Sequence, residues 1–170
     1  SKNTLLFSYI FYLMGRTEYK VEEFKLRQII ARWFFMASLT GRYTSSPESA
    51  LEFDLARFRV VKDADQFVST LERSCEQAMP EDFWAITLPN DLATSSPVSP
   101  SLYAYHASQV LLDAKALFSN HKVSYLLDPT SRGIKTAVDR HHLFPKGYLN
   151  KLGITEQRDT NQIGNITLVE

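Results

Sequence analysis

The chain has 170 residues, and its 44% hydrophobic and 22% charged content is ordinary for a globular protein with a sizeable core. Nineteen basic and nineteen acidic residues give no net charge, so any nucleic-acid surface must be local. A single cysteine, Cys75, excludes an intrachain disulfide and a thiolate zinc cluster. It lies in a helical pattern, which favours a packed thiol over a nucleophile, and its isolation fits a reducing cytoplasm.

The first 120 residues predict helices. The apolar run Leu5–Met14 is too short to span a bilayer, so we predict a buried helix that Gly15 breaks and no membrane partner. Later helices are predicted from apolar residues at helical spacing and from capping signals, such as Ser46 before Pro47. Their predicted ranges are Val21–Leu39, Pro47 to about Val61, Gln66–Met79, a short helix from Pro80 to Ile86, and a long helix from Ser101 or Pro100 to about Phe118.

The pattern changes after Asn120. Before that point, a loop rich in Ser and Pro (Leu92–Ser101) precedes the last long helix. After it, Val123–Leu127 fits either a helix end or a strand. Strands are predicted at Val138–Phe144 and Ile163–Val169, the second interrupted by Gly164, with a helical turn at Tyr148–Leu152 that stops at Gly153. The predicted fold class is mainly α: a helical body over residues 1–125 and a small α/β appendage over residues 126–170.

A histidine pair, His141 and His142, lies at the end of the first predicted strand, just before Pro145. Imidazole can ligate a metal ion or take a proton near neutral pH. Neighbouring residues on a regular strand point to opposite faces, so the pair either has two different roles or the strand bends there. Considered alone, such a pair is more often a chance, surface or satisfied core feature.

The sequence around this pair resembles a known nuclease motif. Residues 139–149 read DRHHLFPKGYL and residues 161–168 read NQIGNITL. Together they resemble the HNH (ββα-metal) nuclease domain of GmrSD-type restriction and related phage-defence proteins. The helical region with Trp33, Arg42-Tyr43, Glu48 and Asp54 is similar to the region before that nuclease, so the resemblance extends from about Phe24 to Glu170.

The resemblance implies a role for each motif residue. His142 would be the general base that deprotonates the attacking water, and His141 would be a metal ligand. Asn165 would be the middle residue of the motif, bridging through its amide to the backbone near the histidines without touching the metal. Asp139 would hydrogen-bond a histidine and fix its tautomer. A surface carboxylate paired with Arg140 explains Asp139 equally well.

The resemblance also implies a divalent metal ion, magnesium or manganese, with zinc or nickel as alternatives. In the family a His or Asn on a helix after the second strand completes the metal site, and the sequence given stops at Glu170. We therefore expect a C-terminal fragment with one sure protein ligand, weak metal affinity and little or no activity. The metal can be absent from such a fragment, and a parent protein would continue into the missing helix.

The segment from Arg132 to Arg158 is locally basic, with six basic and two acidic residues. Arg140, Lys146 and Lys151 are the predicted DNA contacts, because phosphates are the usual partners of such side chains. A solvated surface is the common alternative for scattered lysines. The stretch from Glu48 to Asp91 is acidic, so we expect it to avoid a phosphate backbone.

The leading hypothesis is therefore the C-terminal part of a cytoplasmic, metal-dependent HNH endonuclease that hydrolyses DNA phosphodiester bonds in the restriction of foreign DNA. Two other hypotheses stay open. One is a non-catalytic module that binds nucleic acid or protein, with the histidines as relics. The other is a helical scaffold for another domain, such as an N-terminal nucleotide-handling domain. DNA affinity without cleavage would favour the binding module.

Overall fold

A computed structural model describes residues 2–94, 96, 98–128 and 139–169, with only the backbone of Asp139 and Arg140. The chain forms two compact units, Ser1–Trp84 and Ala85–Glu170. The predicted mainly α fold with a small C-terminal appendage is confirmed. The boundary predicted at residues 125 and 126 lies inside the second unit, because helices before residue 125 belong to that unit.

Acidic side chains cap the N-termini of two helices of the first unit. Its elements are α1 (Lys2–Thr17), α2 (Glu23–Leu39), α3 (Pro47–Ala56), a 3₁₀ turn (Arg57–Val60) and α4 (Ala64–Ala78). The Glu22 carboxylate accepts hydrogen bonds from the first backbone N–H groups of α2, and Asp63 caps α4 in the same way. Ser46 occupies the N-cap position of α3, as predicted, but its side chain makes no capping hydrogen bond.

The core of the first unit is aromatic. Phe11 packs against Trp33 with ring centroids 5.0 Å apart, and Phe58 packs against Phe67 at 5.1 Å. Such pairs add to the stabilisation from burial itself. Cys75 is fully buried in the same cluster, and burial raises the pKa of its thiol to about 11. The expected packed thiol is therefore confirmed.

Two predictions for the first helix are wrong. Gly15 does not break it, since α1 continues to Thr17. The helix is also buried on one face only, because Leu5, Leu6 and Tyr9 are each more than half exposed. Because the apolar run is continuous, its pattern does not show which face of the helix is buried. Within the described residues, no helix is both long and apolar enough to cross a membrane.

A buried polar cluster links the end of α2 to α3. Asp54 is fully buried and accepts hydrogen bonds from Arg42 Nε (2.8 Å) and the Tyr43 hydroxyl (2.7 Å). Arg42 Nη2 donates to the second carboxylate oxygen, which makes the ion pair bidentate. Burial, and then the hydrogen bond to Asp54, raise the pKa of Tyr43 well above its usual range. The cluster thus holds one anion, one cation and a neutral phenol.

The second unit contains the described sheet. Its helices are α5 (Leu88–Leu92), α6 (Pro100–Leu111), α7 (Val123–Leu127), α8 (Lys146–Lys151) and α9 (Gln157–Thr160). The strands β1 (Asp139–His142) and β2 (Ile166–Val169) pair antiparallel, and a 3₁₀ turn (Ile163–Asn165) precedes β2. A π-helical turn, Phe83–Thr87, spans the boundary between the two units. Its place was predicted to be an ordinary short helix.

The long helix predicted to reach Phe118 ends at Leu111 instead. The chain leaves the helix at Asp113, which adopts a left-handed conformation with φ of 54°. The Leu117 N–H then donates to the Leu168 carbonyl at 2.9 Å, on the side of β2 away from β1. The helix prediction failed here because these residues satisfy an otherwise open strand edge.

Gly15 sits where α1 approaches its neighbours most closely. A Cβ added there would lie 2.5 Å from Leu26 Cδ1 and 2.9 Å from Phe67 Cε1, and both side chains are buried. We expect Gly15→Ala to lower the free energy of unfolding by about 1–2 kcal/mol, since overpacking outweighs the gain in helix propensity. Urea denaturation measures this change.

The matched control is Gly147→Ala on α8, where an added Cβ meets nothing within 4 Å. That substitution should raise stability by about 0.5–1 kcal/mol through helix propensity alone. If both alanine variants are stabilised alike, the close packing at Gly15 does not exist.

Candidate functional site

The two histidines lie on β1 and face different surroundings. His141 pairs in register with Thr167 and is exposed, whereas His142 pairs with Ile166 and is half-buried. This difference follows from the alternation of side chains along a strand. The two imidazoles are thus suited to separate roles. The strand ends at His142, shorter than the range predicted to reach Phe144; the predicted first residue, Val138, lies outside the described residues.

Asn165 fastens the turn that follows β1. Its Oδ1 accepts a hydrogen bond from the Phe144 N–H (2.8 Å), and its Nδ2 donates to the Phe144 carbonyl (3.1 Å). The same Nδ2 donates to the Thr160 carbonyl at the end of α9 (2.8 Å). Because it contacts both an N–H and two carbonyls, the amide can take only one orientation. The bridge to backbone near the histidines that the resemblance implies for Asn165 is thus present.

The 3₁₀ turn positions this amide. The strand predicted over Ile163–Val169 begins only at Ile166, because Ile163–Asn165 forms the turn and the Asn165 N–H bonds to the Gln162 carbonyl at 2.9 Å. The turn leaves Asn165 buried, with 8% of its surface exposed. Its own carbonyl accepts from the Leu143 N–H (2.9 Å), which continues the pairing of the two strands by one residue.

His142 has a side-chain partner that the sequence did not indicate. Its Nε2 lies 2.9 Å from Oδ1 of Asn161, the residue that ends α9. The two residues are 19 positions apart, and only the pairing of β1 with β2 and the fold of α9 bring them together. Asn161 stands at the head of the NQIGNITL string, but nothing in the spacing connects it with an imidazole.

A small cavity adjoins Asn161. It has a volume of about 30 Å³ and is lined by Asn161, by Ile166 and Thr167 of β2, and by His106 and Gln109 of α6 among others. His106 Nδ1 lies 3.1 Å from Gln109 Oε1. The volume suffices for a water molecule and not for an organic substrate.

For the other predicted site residues, the structure gives only backbone pairing or exposure. Asp139 and Arg140 pair through their backbones with Val169 and Leu168, and their side chains lie outside the described part of the chain. Lys146 and Lys151 lie at the two ends of α8 and are exposed. Neither lysine forms an ion pair with a carboxylate whose side chain is described.

His141 is the described residue on the histidine strand that is accessible to the implied metal. His141 is exposed and carries an imidazole, a common ligand for several divalent cations. No group of three or more His, Cys, Asp or Glu side chains suited to a metal occurs among the residues described. With His141 as its protein ligand, a cation here would need water and a phosphate oxygen for its remaining ligands.

Comparison with known proteins found no relative. No protein-family model matches the chain, and neither a curated protein nor a solved structure is significantly similar to it.

Proposed function

We propose that this chain is part of a metal-dependent endonuclease of the HNH type that hydrolyses DNA phosphodiester bonds, in the restriction of foreign DNA. The observation that supports the proposal is the Asn165 bridge. It holds the backbone of Phe144, two residues after His142, while β2 holds the histidine strand itself. A buried amide that fixes the turn directly after a histidine-bearing strand is the arrangement that the sequence resemblance implies.

His142 would act as the general base. Its imidazole takes a proton from water as the water oxygen forms a bond to phosphorus, and the bond from phosphorus to the leaving sugar oxygen breaks. The leaving oxygen takes a proton from solvent, and His142 returns its proton to solvent afterwards. A half-buried histidine suits this work, since one side is held by the protein while the ring still reaches water.

His141 would hold the cation from the exposed side of the strand, with magnesium or manganese as the preferred ion. When bound, a divalent cation would offset the charge on the scissile phosphate and on the leaving oxygen. Lys146 and Lys151 would position the strand by contacting phosphates on either side, because both side chains are exposed at the ends of one short helix.

Plasmid cleavage tests the proposal. The 170-residue chain is compared with a longer chain that continues after Glu170 into a helix carrying the third motif residue, with magnesium or manganese and with plasmids with and without modified bases. We expect the longer chain to cut DNA and the 170-residue chain to cut little or none. His142→Ala should abolish the cleavage, since no other group would take the proton from water.

His121→Ala is the control, because it removes an exposed histidine outside the paired strands. It should leave cleavage unchanged. If the longer chain binds DNA but never cuts any of the plasmids, the nuclease proposal fails and the non-catalytic binding module becomes the better account. Equal cleavage by the His142→Ala variant would also overturn the role of this histidine.

A further inference from the structure

We propose that Asn161 is a positioning residue that selects which nitrogen of His142 acts as the base. Its side-chain oxygen accepts a hydrogen bond from the Nε2–H of His142 and so leaves the lone pair of Nδ1 for the attacking water. This inference rests on the proposed function for the role of Nδ1, whereas the hydrogen bond itself can be measured without any activity.

The contact defines the tautomer. Oδ1 of Asn161 lies 2.9 Å from His142 Nε2, and an amide oxygen can only accept a hydrogen bond. Nε2 must therefore carry the ring proton when the imidazole is neutral. A neutral imidazole has one protonated and one unprotonated nitrogen, so the unprotonated atom is Nδ1. A base takes a proton only through an unprotonated nitrogen. Asn161 thereby determines that Nδ1 takes the proton from water.

One side chain holds backbone groups near both partners. Asn165 holds Phe144, two residues after His142, and it also holds the carbonyl of Thr160, the residue immediately before Asn161. The Asn161 N–H bonds in turn to the Gln157 carbonyl at 3.1 Å, which closes the last turn of α9. The chain near the imidazole and the chain near the amide are thus both held in place, which suits a residue that orients another.

Nitrogen NMR of the full 170-residue chain tests the inference at a pH where histidine is neutral. The His142 ring should show a protonated Nε2 with a slowly exchanging proton and an unprotonated Nδ1. In Asn161→Ala this proton should exchange with solvent and its signal should disappear. Asn161→Asp should keep the signal, because a carboxylate oxygen accepts the same hydrogen bond and cannot donate one.

A protonated Nδ1 in the unsubstituted protein would overturn the inference, and so would an Nε2 proton signal that survives in Asn161→Ala. A purely structural role for Asn161 predicts equal loss in both variants, so retention in Asn161→Asp separates the two. In the longer chain, Asn161→Ala should slow cleavage by roughly 10–100-fold, as for other residues that orient a functional histidine. If NMR gives the expected result but the longer chain does not cleave DNA, the nuclease proposal and the base role of His142 are refuted. Only the hydrogen bond between His142 and Asn161 then stands.

Discussion

Asp54→Ala should lower the free energy of unfolding by about 3–5 kcal/mol, the typical effect of removing one partner of a buried ion pair. The Asp54 carboxylate is fully buried, and the Arg42 side chain is only 19% exposed. Without the carboxylate, the Arg42 guanidinium stays charged but is poorly solvated, because most of the side chain is buried. The Tyr43 hydroxyl, 2.7 Å from Asp54 Oδ2, also loses its acceptor. Urea denaturation followed by tryptophan fluorescence measures the change.

The matched control is Asp65→Ala. Asp65 also accepts from a basic residue, Lys25, at 2.9 Å, but its side chain is 90% exposed. Removing it should change the free energy of unfolding by only about 0–1 kcal/mol, because water solvates both charges when they separate. Similar small losses in the two variants would contradict the buried polar cluster. Failure of Asp54→Ala to fold, with Asp65→Ala folded, would agree with it.

Asn165→Ala should loosen the turn after β1 and cost the second unit about 2–4 kcal/mol. The substitution leaves the Phe144 N–H, the Phe144 carbonyl and the Thr160 carbonyl without their partner. An unpaired buried polar group costs about 1–3 kcal/mol, and the exposed position of Phe144 lets water replace part of the loss. Hydrogen exchange of the Phe144 amide, followed by NMR, reports the loosening of the turn.

Asn150→Ala is the control for this prediction, since Asn150 is exposed on α8. It should leave both exchange and stability nearly unchanged. Asn165→Asp should also be harmful, because a carboxylate can still accept from the Phe144 N–H but cannot donate to the two carbonyls. If the Phe144 amide exchanges equally slowly in Asn165→Ala and in the unsubstituted protein, the amide does not fasten this turn.

Local signals predicted most helices of the first unit. Apolar spacing predicted α2 and α4 to within a few residues, and Pro47 marked the start of α3. These predictions succeed because a helix satisfies its backbone within itself. Gly15 was misread because its small size serves packing against Leu26 and Phe67, which lie far along the chain. A residue's intrinsic preference gave no information about that contact.

Strand and loop residues were harder to predict. Residues 112–118 carry a helical pattern, yet Leu117 bonds to Leu168 at the edge of β2. The partner lies about fifty positions away, so no local window contains it. The 3₁₀ turn at Ile163–Asn165 was predicted as strand, and there the Ile163 N–H donates to the Thr94 carbonyl at 3.0 Å, again far along the chain. In each case a distant backbone group competes with the local preference.

The sequence by itself determined the helical class of the protein, the position of the histidine strand and the expectation that Asn165 bridges to backbone near it. These depend on short-range periodicity and on residue types in a recognisable order. The tertiary structure alone decided that Asp54 joins Arg42 and Tyr43, and that Asn161 reaches His142. Buried polar groups must find partners wherever the chain brings them, and hydrogen-bond geometry acts through space with no regard to sequence separation.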